Sequence, residues 1–122
     1  MHARATNTYR AVDLQSAPKP DIMLRLFYRF AADCSGARKA IMARDIAVKG
    51  KALDHAMAIV NELQASLDHN SAPELCKNLD TVYRLVMSRL LTASMKLDLK
   101  QLDEAASMMS VLAEGFAQAQ NK

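Results

Sequence analysis

The side chains best suited to chemistry are three histidines (His2, His55, His69), two cysteines (Cys34, Cys76) and the acidic pair Asp103-Glu104. Their spacing does not bring them together. A metal site draws on clustered His and Cys ligands, yet no two histidines stand at i, i+3 or i+4 and the cysteines are isolated. Both cysteines fall on apolar rows, where a small hydrophobe is their usual role. Two cysteines cannot form a disulfide framework, which makes a reducing cytoplasm the default compartment. Three scattered glycines build no phosphate-cradling loop. Asp103-Glu104 sits in polar helix-start surroundings with no means of raising one carboxyl for acid–base work. The expectation is a non-enzyme with no catalytic residue, no metal and no cofactor.

His55 invites one sharper test, because a helical bundle can carry a phosphoryl group on an exposed mid-helix histidine. Phosphotransfer domains place a Leu-Lys-Gly stretch after that histidine; here His55 is followed by Ala56-Met57-Ala58-Ile59. The expected role of His55 is a solvated helix residue. The methionines say more. Eight occur in 122 residues, with Met42, Met57, Met87, Met95, Met108 and Met109 in or beside helical segments. Flexible, polarisable methionines fill cores, and as a set they also suit a surface that accepts helical ligands.

The elements that must position these side chains follow from periodicity. Residues 1–20 are polar and end in Pro18-Lys19-Pro20, with Tyr9, Val12 and Leu14 their only sizeable apolar side chains; they read as an N-terminal arm or a short extra helix. From Ile22, the stripe Met23, Leu26/Phe27, Phe30, Cys34, Ala37, Ile41 has helical period. The segment Arg44-Asp45 through Gly50 reads as a turn, with a place for Gly50 inside the first turn of the second helix as the alternative. A second stripe runs Leu53, Ala56/Met57, Val60, Leu63, Leu67. Ser71-Ala72-Pro73-Glu74 then resembles a capping box, with proline tolerated in the first turn. A third helix from about Pro73 to Met95 carries two apolar rows: Leu75, Leu79, Val82, Val86, Leu90, Ala93, Leu97, and Cys76, Tyr83, Met87, Leu91. A helix apolar over that much circumference is buried on two sides or offers a groove to a partner. Asp98 reads as the cap of a fourth helix with the stripe Leu102, Ala105/Ala106, Met109, Leu112/Ala113, Phe116. The expected fold is all-α: an antiparallel up-down four-helix bundle over residues 21–122, preceded by the arm.

Composition agrees. The chain is 51% hydrophobic with a formal net charge of +3, which excludes intrinsic disorder, and no apolar run approaches the roughly 18 residues of a membrane span. Residues 1–51 hold ten bases and four acids, residues 52–122 six and nine. The bases are spread, without the interleaved aromatics that single-strand readers use, so nucleic acid is not an expected partner.

Several short stretches, in order, are similar to one family. Tyr9 is followed by Ile22-Met23-Leu24-Arg25-Leu26-Phe27-Tyr28; then come Glu62-Leu63-Gln64-Ala65-Ser66-Leu67-Asp68, Lys77-Asn78-Leu79, Tyr83 and Arg89-Leu90-Leu91-Thr92-Ala93-Ser94; last are Lys96-Leu97-Asp98 and Leu102-Asp103-Glu104-Ala105. Together they resemble the flagellin-specific export chaperones of the flagellar type III secretion system (the FliS type). Ser16-Ala17-Pro18 stands one residue off that family's Ala-Ser-Pro, and Tyr28-Arg29 replaces its Asp-Gly. The resemblance implies a cytoplasmic helical-bundle chaperone. It would bind the disordered C-terminal segment of flagellin, prevent premature polymerisation and deliver the client to the flagellar export gate. It also implies an N-terminal lid, assigned to Tyr9, over a client groove assigned to Leu26, Leu53, Met57, Val60, Tyr83, Met87 and Leu91, with a place in the core as the alternative for Leu26, Leu53 and Val60. A helical adaptor for another amphipathic client and a histidine phosphotransfer domain are the alternative readings.

Overall fold

A computed structural model describes residues 20–120. It contains four helices among the described residues: α1 (Pro20–Ala43), α2 (Ile46–Ala65), α3 (Pro73–Lys96) and α4 (Leu99–Gln120). Each packs antiparallel on its chain neighbour and α4 closes on α1, giving the expected up-down bundle. Of the arm expected for residues 1–20, only Pro20 is included, as the opening residue of α1; Tyr9 lies outside the described residues.

The turns are shorter and more polar than periodicity alone suggests. After α1, Arg44 adopts φ 58°, Arg44 N–H donates to Ile41 O at 3.1 Å and Asp45 N–H donates to Ala40 O at 2.8 Å. This is the left-handed helix stop in which the departing amides satisfy the last carbonyls. Asp45 then caps α2, its carboxylate accepting from Val48 N–H at 3.1 Å. Helix α2 therefore begins at Ile46, and Gly50 is helical rather than part of a long turn.

The α2–α3 loop also departs from expectation. Ala72 occupies the N-cap of α3 and makes no side-chain cap bond. The Ser71 hydroxyl turns the other way and donates to the Asp68 carboxylate, whose other oxygen accepts from Asn70 N–H at 3.1 Å. Asp68, not Ser71, organises the loop, and Pro73 opens α3 as expected. Asp98 caps α4 as expected, accepting from Lys100 N–H at 3.0 Å and Gln101 N–H at 3.3 Å.

The stripes of α1, α2 and α4 form the core through Met23, Phe27, Phe30, Leu53, Val60, Leu63, Leu102 and Met109. On α3 the buried ridge runs between the two expected rows, as Cys76, Tyr83, Val86, Leu90 and Ala93, while Leu75, Leu79 and Val82 are half-buried and Leu97 is exposed. Phe27 and Phe116 stack tilted, with centroids 6.0 Å apart, across α1 and α4.

Every seam also carries a polar clip. His55 Nδ1 lies 2.5 Å from Asp33 Oδ2 across α1–α2. Gln64 Nε2 donates to Asp80 Oδ1 at 2.6 Å, and Lys49 Nζ to Ser94 O at 3.2 Å, across α2–α3. Arg89 Nε meets Glu104 Oε2 at 3.1 Å across α3–α4, and Arg38 meets Asp103 at 3.7 Å across α1–α4. Solvated ion pairs contribute little stability; these clips fix the rotation of each helix. The α2–α3 seam is the thinnest of the four. Among the described residues, no helix is long and apolar enough to cross a membrane.

Candidate functional site

The Asp33–His55 clip ties α1 to α2 partway along their seam, and beyond it the seam is open. There a cleft of about 630 Å³ is lined by Ile22, Arg25, Leu26, Tyr28, Arg29 and Ala32 of α1, and by His55, Ala58, Ile59 and Glu62 of α2. Its openness follows from residue size: Ala32 and Ala58 stand where larger side chains would fill the seam. Tyr28 is 60% exposed, and the Asp33–His55 pair closes the far end. A second cleft, of about 350 Å³, follows the thin α2–α3 seam. Met87, Leu91 and Met95 line it from α3 at steps of four residues, with Asn61 and Gln64 opposite; Met95 is 80% exposed. A helix places residues four apart along one face, so this row is a continuous apolar edge.

The structure divides the seven groove candidates. Leu26 lines the α1–α2 cleft, and Met87 and Leu91 line the α2–α3 cleft. Met57 is half-buried and packs against the core. Leu53, Val60 and Tyr83 are 0% exposed; they belong to the interior, because the α2 stripe and the central α3 ridge both point at the bundle axis. A groove on the surface cannot present them. Sequence reasoning missed Ile22 and Tyr28 as exposed apolar side chains, and left Met95 in the methionine set without assigning it to the groove. Their signal was phase, since Tyr28 and Met95 fall off the buried stripes of their helices.

Both cysteines are free and buried. Burial, with the Asp33 and Asp103 carboxylates adding to it, pushes the Cys34 thiol up to about 12, so it stays protonated near neutral pH. Cys76 is raised, chiefly by burial, and its thiol donates to Asp68 O at 3.1 Å. Among the described residues, no three His, Cys, Asp or Glu side chains gather so as to hold a metal ion.

The described residues thus form a four-helix bundle with two open, mostly apolar seams, and comparison with known proteins gives its lineage. The family model described as flagellar protein FliS matches residues 1–122. The chain belongs to the FliS family. Among FliS relatives, the flagellar secretion chaperone FliS of Salmonella typhimurium is 34% identical over 83 residues, covering 67% of this chain and 62% of that protein. The matched stretch thus spans less than two thirds of that relative's length. The flagellar secretion chaperone FliSB of Pseudomonas aeruginosa is 26% identical over 117 residues, covering 93% of both chains. FliS of Escherichia coli is 27% identical over 119 residues, covering 93% of this chain and 88% of its own. The resemblance carried by the short motifs is therefore one of family, and the FliS bundle is the frame that holds the two clefts.

Proposed function

We propose that this protein is a cytoplasmic flagellin-export chaperone. It binds the disordered C-terminal region of flagellin, keeps it from polymerising early and hands it to the export gate. The observation that carries this reading is the α1–α2 cleft, about 630 Å³ of mostly apolar seam open to solvent. Exposed apolar grooves mark interaction sites, and an amphipathic helix laid into such a groove buries its apolar face. A disordered client pays to become ordered, and burial of its apolar stripe against Ile22, Leu26 and Ile59 offsets that cost. The α2–α3 edge of Met87, Leu91 and Met95 offers a second seat for the same segment. The arm bearing Tyr9 leads into α1 at Pro20, two residues before Ile22, and the proposed role of Tyr9 is a lid displaced by client. The protein acts by binding, without catalysis.

Titration calorimetry with the C-terminal segment of the host's flagellin tests this. Binding with a negative heat-capacity change is expected, weakened strongly by Leu26→Asp or Met87→Asp with helicity retained. No binding by the wild-type protein would refute the proposal.

A further inference from the structure

The two walls of the α1–α2 cleft carry different charge. On α1, Arg25 and Arg29 line it one turn apart, which places their stems about 6 Å apart along the helix. Arg25 has one weak partner, Asp21 at 3.9 Å, and both side chains are largely exposed. Arg29 has no ion pair among the described residues. On α2, the opposite wall offers Ala58 and Glu62, while His55 is already engaged by Asp33.

Resting on the reading above, we propose that the client helix seated here carries carboxylates four residues apart along one flank of its apolar stripe. These pair with Arg25 and Arg29, and the other flank, facing Glu62, is small or basic. The spacing argues for it. Residues at i and i+4 of a client helix lying along the cleft are separated by the same 6 Å as the two arginines. A guanidinium also grips a carboxylate with two parallel hydrogen bonds, so each contact selects an acid by shape as well as charge. The apolar part of the cleft lining, Ile22, Leu26 and Ile59, suits a protein helix rather than a nucleic-acid backbone. Charge on this wall selects the client and speeds its capture, while the apolar lining supplies the burial.

The test uses the full-length chain and the C-terminal segment of the host's flagellin, titrated at about 0.05 M and 0.5 M NaCl, between which the screening length falls from about 14 Å to about 4 Å. Wild-type affinity is expected to fall several-fold with salt. The double variant Arg25→Glu/Arg29→Glu, on exposed positions, should keep its melting temperature and lose roughly 5- to 20-fold in affinity at low salt. A flagellin segment with acids of its apolar flank changed to lysine should restore binding to that variant only. Salt-independent binding, or equal binding by wild type and double variant, overturns this inference and leaves the chaperone reading standing. Absence of wild-type binding at either salt overturns both. An oligonucleotide whose binding is lost in the double variant while flagellin binding is unchanged assigns the arginines to nucleic acid and also overturns the inference.

Discussion

Leu53 and Leu91 are the same residue type in contrasting settings, and truncating each separates the core from the proposed client surface. Leu53 is fully buried beside Ala56 and Val60 on α2, whereas Leu91 is 46% exposed on the α2–α3 cleft. Leu53→Ala removes buried carbons and leaves a cavity that the surrounding helices only partly fill, at a cost of roughly 3 kcal/mol. For a bundle of this size each kcal/mol shifts Tm by about 4–5 °C, so the variant should melt about 12–15 °C lower. Leu91→Ala gives up only the buried half of its side chain, about 1 kcal/mol, and should melt within about 5 °C of wild type. Client affinity should reverse the order. Leu91→Ala should lose about fivefold, corresponding to about 1 kcal/mol of apolar contact, and Leu53→Ala should bind normally while folded. Scanning calorimetry gives Tm, and titration at a temperature where both variants are folded gives affinity. A Leu53→Ala protein that melts like wild type yet fails to bind client would refute the reasoning, because it would place Leu53 on the contact surface.

Leu97 ends α3 in the left-handed region at φ 53°, where a side chain costs about 1 kcal/mol relative to glycine; Leu97→Gly should raise Tm by a few degrees in a thermal melt. The Asp68 carboxyl is held below its usual range, chiefly by the Ser71 hydroxyl. Its contribution is therefore present above the unfolded carboxyl pKa and lost as pH falls through the lower, folded value, so the Tm gap between wild type and Asp68→Ala should shrink in acid. Cys34, raised to about 12 and nearly inaccessible, should resist a thiol reagent in native protein at about pH 8 and react once denatured, as read by absorbance.

The stripe from Met23 to Ile41 and that from Leu53 to Leu67 were legible because burial on one face leaves a helical period in the sequence. Asp98 was legible as a cap because it precedes its helix directly. Asp45 was not, because a capping Asp and a turn Asp look alike until the left-handed Arg44 is seen. Ser71 misled for a related reason: a Ser-x-x-Glu pattern promises a cap, but the neighbouring Asp68 competes for the same hydroxyl. The clefts were half legible. Leu26, Met87 and Leu91 announce apolar surface, but the difference between Tyr83 and Met87, four residues apart on one row, lies in how α3 is rotated about its axis. That rotation goes with the packing of Tyr83, Val86 and Leu90 into the core and with contacts of Asp80 and Arg89 to other helices, partners distant in sequence.

The seams also differ in how much chain must exist before they can form. The α1–α2 hairpin, with its cleft and its Asp33–His55 clip, is complete once residue 65 has been made, because a two-residue turn joins its halves. The α3–α4 hairpin likewise needs only its own contiguous residues. Closure of α1 on α4 must wait for Phe116 to reach Phe27. Local contacts of this kind favour rapid folding, and a chain emerging in order forms its early elements first. On the ribosome the residues of the basic wall, Arg25 and Arg29, are therefore made before the second half of the bundle exists, and the α1–α4 seam is the contact that needs the most chain.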